Sequence, residues 1–194
     1  MSEPTRDKWN RLYAEAQPGG AEAAAILSDY AHLLPAQGTA LDFACGLSPD
    51  GLFLAHRGLE TLAVDISDVA ADKLNGYASE HGLPLRAEAA DLLTYALPSR
   101  HFDVIVVVHY LERDLAPTLV EALKPGGLLF YQTFTRTVTP DYSGPRNESF
   151  RLADGELLQL FAGLTPVVYR EEGLIGDLSH GLRNEAQLIA QRAA

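Results

Sequence analysis

The chain has 194 residues, of which 47% are hydrophobic, and a formal net charge of −11. This is the length of one ordinary domain, and the hydrophobic share is large enough to fill a core without disulfides. The acidic balance argues against a nucleic-acid partner, because binding to phosphates relies on a basic surface that releases counterions. A small or cationic ligand fits this charge better.

Cysteine usage and the N-terminal sequence bear on location. The single cysteine, Cys45, has no partner for an internal disulfide, and the six histidines show no metal-ligand spacing. The polar start lacks the apolar region of a signal peptide, and the most apolar run, residues 104–108, is too short to span a bilayer. We therefore expect a soluble, cytoplasmic monomer or homodimer that neither holds a metal nor binds a membrane.

Two helices are predicted before the first strand. Apolar residues at helical spacing run from Trp9 to Ala16, a Pro-Gly-Gly break follows at residues 18–20, and similar spacing continues from Ile26 to Leu34. The sequence thus opens with a helical segment ahead of any sheet.

Short apolar runs then alternate with helix-compatible segments. The runs cover residues 40–44, 61–64, 85–89, 102–108 and 128–134. Ser67 is a candidate N-cap for a helix over residues 67–77. Because strands joined by helical crossovers run parallel, this rhythm predicts an α/β fold with a doubly wound, Rossmann-like sheet and helices on both faces.

The C-terminal third predicts a loop, a helix and two strands. Residues 135–149 contain two prolines and a glycine, which indicates a long loop. Asp154 is a candidate cap for a helix through Phe161, and strands are predicted near residues 166–170 and 185–190. The sheet then has about seven strands, mostly parallel, with the last one antiparallel.

Ionisable residues follow four of the first five strands. The first strand leads through Asp42 to Gly46, the second ends at Asp65, the third at Asp91, and the fourth at His109 and Tyr110. Ligands of open α/β sheets bind at these carboxyl ends. Asp65 also lies 23 residues after Asp42, close to the spacing of the acidic residue that binds ribose in nucleotide-binding sheets.

Each of these residues also has a structural explanation when it is taken alone. Gly46 suits a plain strand-to-helix turn, Asp65 a solvated strand end, and Asp91 a helix cap. Their occurrence together favours a ligand site.

Five segments carry a resemblance to a known family. In chain order they are LDFACG, LAVDIS, AADLL, FDVIVVVHYLERD and LKPGGLLFYQTF. With this order the chain resembles the class I S-adenosylmethionine-dependent methyltransferases. DKWNRLY and GDLSHGLRNEAQLIA are similar to the small tellurite-resistance and thiopurine methyltransferase branch. The sequence departs from the family at Leu47-Ser48-Pro49, since the family commonly has glycine at the second position after Gly46; Pro49 can begin the next helix.

The resemblance implies a cofactor, a reaction and a set of binding residues. S-adenosylmethionine would donate a methyl group to a small-molecule acceptor, for which a soft nucleophile such as a thiol or a tellurium or selenium oxyanion is one expectation. The implied cofactor-binding residues are Asp42, Ala44 and Gly46 for the methionine part, Asp65 for the ribose, Asp91 and Leu92 for the adenine, and Ile66.

Other residues are candidates for the methyl-acceptor side or for a lid. His109 and Tyr110 follow the fourth strand, where they would contact the cofactor, orient the acceptor or receive a proton, unless they only end a buried strand. Trp9 and Tyr13 form either an aromatic lid over the sulfonium or a core-facing stripe.

His180 and Arg183 lie in the predicted connection before the last strand. The resemblance makes them acceptor ligands, and a solvated hairpin is the alternative. We expect them to face His109 and Tyr110 across the transferred methyl group.

The expected organisation is a single domain in three parts. Residues 1–35 form N-terminal helices and a lid, residues 36–134 the cofactor-binding core, and residues 135–194 the acceptor-side loop and C-terminal strands. Two other functions remain open: an NAD(P)-binding oxidoreductase, although the full GxGxxG pattern is absent, and a non-catalytic module that binds S-adenosylmethionine.

Overall fold

Seven strands and six α-helices make up residues 3–194, the part of the chain that the computed structural model describes. The strands are β1 (Thr39–Phe43), β2 (Glu60–Asp65), β3 (Leu85–Ala89), β4 (Phe102–Val108), β5 (Leu123–Phe134), β6 (Thr165–Arg170) and β7 (Glu185–Gln191). The helices are α1 (Glu3–Ala14), α2 (Ala25–Asp29), α3 (Pro49–His56), α4 (Asp68–His81), α5 (Ala116–Ala122) and α6 (Glu156–Leu160).

The strands form one sheet in the order β3-β2-β1-β4-β5-β7-β6. Every pairing among β1 to β5 is parallel, whereas β7 is antiparallel to both β5 and β6. The predicted mostly parallel sheet with an antiparallel last strand is thereby confirmed. Because β1 and β4 are neighbours, the strand order reverses between them, and a ligand crevice is expected at their carboxyl ends.

The centre of the sheet is buried on both faces. The predicted apolar run in β4 has no exposed residue from Val104 to Val107, as a strand covered by helices on both sides requires. Side chains of α5 and α6 pack with one face, and side chains of α2, α3 and α4 pack with the other. Helices therefore lie on both faces, as the sequence predicts.

Local hydrogen bonds explain where the central helices begin. The Ser67 hydroxyl accepts from the Ala70 amide at 3.1 Å, so the predicted N-cap of α4 is confirmed, and the helix continues to His81. Pro49 begins α3, and the Ser48 hydroxyl accepts from the Gly51 amide at 2.9 Å.

The predicted cap at Asp154 is wrong. Gly155 occupies the N-cap of α6 with a φ of +70° and makes no side-chain cap. The Asp154 carboxylate instead accepts from the Thr137 hydroxyl at 3.0 Å. The carboxylate of Glu156 takes over locally, since it accepts from the Ala153 amide at 2.7 Å.

Two predicted boundaries also differ. β5 begins at Leu123, five residues earlier than residue 128, and its pairing with β4 contains a register shift between Phe102 and Val104. The second predicted helix is split into α2 and a 3-10 helix at Ala31–Leu33. Within residues 3–194, no helix combines the length and the apolar character needed to cross a bilayer.

Candidate active site

The loop after β1 is tied to the end of β2 by backbone hydrogen bonds. The amides of Ala44 and Cys45 both donate to the Val64 carbonyl, at 2.9 and 3.1 Å. Ala44 and Gly46 have φ values of +67° and +53°, and positive φ costs energy at an alanine. The backbone therefore turns sharply at the place where the sequence predicts the methionine part of the cofactor.

Asp65 connects this loop to α4. One carboxylate oxygen accepts from the Gly46 amide and the other from the Ser67 amide, each at 2.9 Å. Burial raises the pKa of Asp65, and these backbone donors partly oppose the shift. A carboxylate has about four lone-pair sites, so acceptor capacity remains for a ligand.

Asp42, Asp50 and Asp65 form a buried acidic cluster at the start of the crevice. Burial, followed by the charge of Asp50, raises the pKa of Asp42 to about 8, and burial also raises the pKa of Asp50. The Ser48 hydroxyl donates to Asp42, and the Ala24 amide donates to Asp50 at 2.7 Å. No lysine or arginine from residues 3–194 pairs with the cluster, which therefore favours a positively charged ligand.

The first helix places Tyr13 over the Gly46 loop. A Cβ atom at Gly46 would lie 2.5 Å from the Tyr13 hydroxyl oxygen, so only glycine allows this approach. Trp9 stacks on Tyr13 with ring centroids 5.6 Å apart. The Lys73 ammonium holds the C-terminal end of α1 by donating to the carbonyl of Tyr13 at 2.9 Å. This position is compatible with the predicted lid, which remains a prediction.

The two residues expected to hold the adenine, Asp91 and Leu92, and the further cofactor-binding candidate Ile66 lie after β2 and β3. Leu92 and Ile66 are buried, at 1% and 3% exposure. The Asp91 carboxylate accepts from the Leu93 amide at 3.1 Å in a turn after β3, rather than capping a helix. All three follow the carboxyl ends of β2 and β3, on the same side of the crevice as Asp65.

His109 and Tyr110 lie at the end of β4, next to β1. The His109 ring stacks on Phe134 with centroids 4.5 Å apart, and its Nε2 lies 2.9 Å from Oε1 of Glu185. Tyr110 packs edge-on against Phe43, and its carbonyl accepts from the Tyr131 hydroxyl at 2.8 Å. His109 is thus a half-exposed site side chain, whereas Tyr110 also has a packing role.

Sequence reasoning missed Glu185 and the two glutamines behind it. The Gln132 amide nitrogen donates to Oε2 of Glu185 at 2.5 Å, and the Gln132 amide oxygen accepts from Gln187 at 2.8 Å. Burial disfavours the charge on Glu185, but the hydrogen bond and charge of His109 hold its pKa below the usual value. The available signal was that an antiparallel last strand begins at the edge where β4 and β5 end.

His180 and Arg183 lie in the connection from β6 to β7, which turns at the predicted edge of the sheet. His180 is strongly exposed and contacts Asp177. Arg183 is largely buried, and its guanidinium donates to the carbonyls of His180, Asp177 and Gly173 at 2.7, 2.8 and 2.9 Å. Across the described part of the chain, no hydrogen bond or ring contact joins either residue to His109 or Tyr110.

Within residues 5–194, whose side chains the structure describes, no group of three His, Cys, Asp or Glu side chains is arranged to hold a metal ion.

Comparison with protein families agrees with this geometry. The family model described as "Methyltransferase domain" matches residues 40–127, which span β1 to the first residues of β5. The chain resembles the class I methyltransferases. The matched range contains the Gly46 loop, Asp65 and His109, so it covers the core of the site.

Two curated relatives match part of the chain. "Hemagglutinin 1" of Eikenella corrodens is 32% identical over 139 residues, which cover 68% of this chain and 45% of the relative. "Ubiquinone biosynthesis O-methyltransferase" of Caulobacter vibrioides is 31% identical over 107 residues, covering 52% and 42%. The chain spans about half the length of the curated relatives it matches.

A solved structure shares the fold over nearly the whole chain. TehB from Haemophilus influenzae superposes with a TM-score of 0.70 at 20% identity, covering 96% of this chain and 66% of that one. This similarity shows that the two chains share their architecture.

Proposed function

We propose that this chain is an S-adenosylmethionine-dependent methyltransferase that acts on a small-molecule acceptor. The observation that carries the proposal is the buried acidic cluster beside the glycine loop, with which no lysine or arginine of residues 3–194 pairs. S-adenosylmethionine has an ammonium, a sulfonium and two ribose hydroxyls, so it supplies both positive charge and hydrogen-bond donors.

The residues present fit this cofactor. Asp65 keeps acceptor sites for ribose hydroxyls after receiving two amide hydrogen bonds. Burial disfavours the charged forms of Asp42 and Asp50, and an ammonium bound near the loop that would hold the methionine part would stabilise them. Gly46 leaves the space below Tyr13 that any Cβ would fill.

Methyl transfer is an in-line displacement in which the cofactor supplies an activated methyl group. The chain contributes alignment of the two reactants, exclusion of water and, for a weak nucleophile, removal of a proton. The ends of β1 and β2 position the donor, and the ends of β4 and β5 together with the beginning of β7 face the acceptor.

The small acceptor is supported by charge and size. The net charge of −11 disfavours nucleic acid, and we propose that neither nucleic acid nor a membrane is the partner. A cytoplasmic location, the oligomeric state and the soft-nucleophile acceptors stay predictions. Salt-sensitive, submicromolar gel shifts with RNA or DNA would contradict the first of these proposals.

The sheet order weighs against the nicotinamide alternative. Dinucleotide-binding sheets commonly have the strand order 3-2-1-4-5-6. In this chain the antiparallel β7 is inserted between β5 and β6, and Ser48 stands where the dinucleotide fingerprint has its second glycine.

Titration calorimetry with S-adenosylmethionine and with NADH tests the cofactor. We expect binding of the first only, and Asp65→Ala should weaken it by about 1–3 kcal/mol because the ribose hydroxyls lose their acceptor. Asp68→Ala is the matched control, since this neighbouring carboxylate is exposed and pairs with Arg6. Unchanged affinity in a folded Asp65 variant would refute the assignment.

Formation of S-adenosylhomocysteine in an acceptor screen separates an enzyme from a binding module. Binding without turnover of any acceptor would favour the module.

A further inference from the structure

We infer that His109 and Glu185 form a proton-accepting pair and that the methyl acceptor is therefore a hydroxyl compound of phenol-like acidity. This inference rests on the proposed function and names its acceptor class. The pair consists of the His109 imidazole and a mostly buried carboxylate 2.9 Å from its Nε2.

The backbone of His109 and the ring of Phe134 hold the His109 ring in place. The backbone has a φ of +55° directly after β4, and its amide donates to the Gln132 carbonyl at 2.9 Å. The ring lies nearly parallel to Phe134, at 17°. The side chain still keeps 47% of its surface exposed, so an acceptor can reach it from the crevice.

The hydrogen bonds around Gln132 determine the orientation of the pair. Its amide oxygen already accepts from the Ile26 amide at 3.2 Å and from the Gln187 side chain at 2.8 Å. Its amide nitrogen must therefore donate to Glu185. An ionised Glu185 only accepts, so Nε2 of neutral His109 carries the hydrogen.

The basic nitrogen of His109 is then Nδ1. Within the described residues, Nδ1 makes no hydrogen bond, which leaves its lone pair available to a ligand. Glu185 acts as a positioning residue, because it fixes the tautomer and stabilises the positive charge that forms on the ring.

The chemistry of this pair favours an acceptor that must lose a proton. As the methyl group transfers, the acceptor O–H gives its proton to Nδ1 and an oxygen lone pair bonds to the methyl carbon. The electrons of the C–S bond pass to sulfur, which becomes neutral. The imidazolium that results is paired with Glu185, so charge is conserved and balanced.

A soft nucleophile has less need of this base. A thiol has a pKa of about 8.5 and is partly ionised near neutral pH, whereas a phenol with a pKa of about 10 is not. An oxyanion has no proton to lose, and it would also meet the negative charges of Glu185 and Asp50, the carboxylates that face His109.

The first experiment compares acceptors of different acidity. Formation of S-adenosylhomocysteine is measured with phenol, the more acidic 4-nitrophenol, 2-mercaptoethanol and tellurite. A positioned base contributes about 10²–10⁴-fold, so His109→Gln should lower kcat by at least about 100-fold with phenol and much less with 4-nitrophenol. Calorimetry in parallel should show that Glu185→Gln leaves S-adenosylmethionine affinity within a few-fold.

The second experiment uses the tautomer of His109 to separate positioning from a merely structural role. An ionised Glu185 only accepts, so the ¹⁵N NMR signals of the His109 ring in the wild type should be those of the tautomer with hydrogen on Nε2. The amide of Glu185→Gln can donate or accept, so these ring signals should move toward those of a mixture of tautomers. Asp50→Asn is the control, because it removes a facing charge that is not hydrogen-bonded to the ring, and it should move them less.

Each remaining outcome has one meaning. Turnover confined to 2-mercaptoethanol or tellurite, phenol turnover unaffected by His109→Gln, or ring signals that do not move in Glu185→Gln would each overturn the inference. Binding of S-adenosylmethionine with no turnover of any of the four acceptors would overturn it too, while the cofactor assignment would survive. Absence of S-adenosylmethionine binding in the wild type would instead refute the proposed function.

Discussion

The two ends of the crevice differ in how their side chains are held. At the β1–β2 end, Asp65 is bonded to backbone amides that are 2 and 19 residues away in sequence. At the β4–β7 end, the bonds that position Glu185 join residues 53 and 76 positions apart, and Gln132 reaches the Ile26 amide across 106. The β1–β2 end is held mainly by turns, and the β4–β7 end is held by side chains that strand pairing brings together.

This difference suggests that the two ends of the crevice tolerate amino-acid substitutions to different degrees. Backbone amides are present whatever the side chain, so the β1–β2 end keeps its geometry as long as its turns form. The β4–β7 end loses its geometry when one side chain is replaced, and its loops are more exposed. Enzymes that share one methyl donor but differ in their acceptors would keep the β1–β2 end and vary the β4–β7 end.

The largest expected change in cofactor affinity is at the β1–β2 end. Gly46→Ala places a Cβ 2.5 Å from the Tyr13 hydroxyl, so Tyr13 must move and affinity for S-adenosylmethionine should fall at least about tenfold, or 1.4 kcal/mol. Gly58→Ala is the control, because its φ is also positive and no atom lies near the added Cβ. Both should lose about 1–2 kcal/mol of stability. Calorimetry showing equal cofactor affinity in the two variants would contradict the close approach.

A group at the β1–β2 end, Asp42, should also make the free energy of unfolding depend on pH. The pKa of Asp42 is raised to about 8 by burial, so the folded chain binds more protons than the unfolded chain between about pH 4 and 8. The stabilisation from this group is complete below its unfolded pKa and is lost as pH rises through about 8.

Asp42→Asn tests this linkage. It keeps an acceptor for the Ser48 hydroxyl but cannot ionise, so its free energy of unfolding should fall less between pH 5 and pH 8 than that of the wild type. Denaturant unfolding at the two pH values measures the difference. Parallel pH dependences would mean that Asp42 does not titrate in this window.

The β1–β2 end is also the part that the sequence predicts best. Asp42 and Asp65 lie near the ends of apolar strands, Ser67 has the residue type and position of an N-cap, and each depends on neighbours close in sequence. Parallel pairing then brings these strand ends to one edge. The prediction failed locally at Asp154, because Glu156 and Gly155 compete for the same helix start and neither outcome is specified by residue type alone.

Glu185 and Gln132 were not predictable in the same way. Glu185 begins a strand and Gln132 lies within one, where a polar residue is ordinarily an exposed position in an alternating pattern. Only the register of β7 against β5, with Glu185 opposite Phe134, brings both beside His109. Pairing over such separations depends on the whole sheet and has no local signal.

A moderate loss of stability is expected on substitution of Ser48, which stands where the family commonly has glycine. Ser48→Ala removes the N-cap of α3 and the hydroxyl that donates to Asp42, and loss of such a cap costs about 1 kcal/mol. Ser79→Ala, on the exposed surface of α4, should cost little and is the matched control. Denaturant unfolding gives both values. A loss no greater than that of the control would show that α3 does not depend on its cap.

The smallest effect is expected at Arg183, and it tests whether the two ends are independent. Arg183→Ala removes the contacts with four carbonyls that hold residues 171–184 between β6 and β7. We expect the acceptor KM to rise about 3–10-fold while S-adenosylmethionine affinity stays nearly unchanged, because the β1–β2 end does not use this loop. Arg183→Lys should recover little, since an ammonium lacks the planar fork that spans these carbonyls.

Arg86→Ala is the control for the loss of one arginine charge. Arg86 is exposed and lies on β3, at the opposite edge of the sheet. Steady-state kinetics in both substrates, with calorimetry for the cofactor, distinguish the results. A matching loss of cofactor affinity in Arg183→Ala would show that the two ends are coupled. An unchanged acceptor KM would instead place the loop of residues 171–184 outside the acceptor site, since its anchoring would then have no bearing on the crevice.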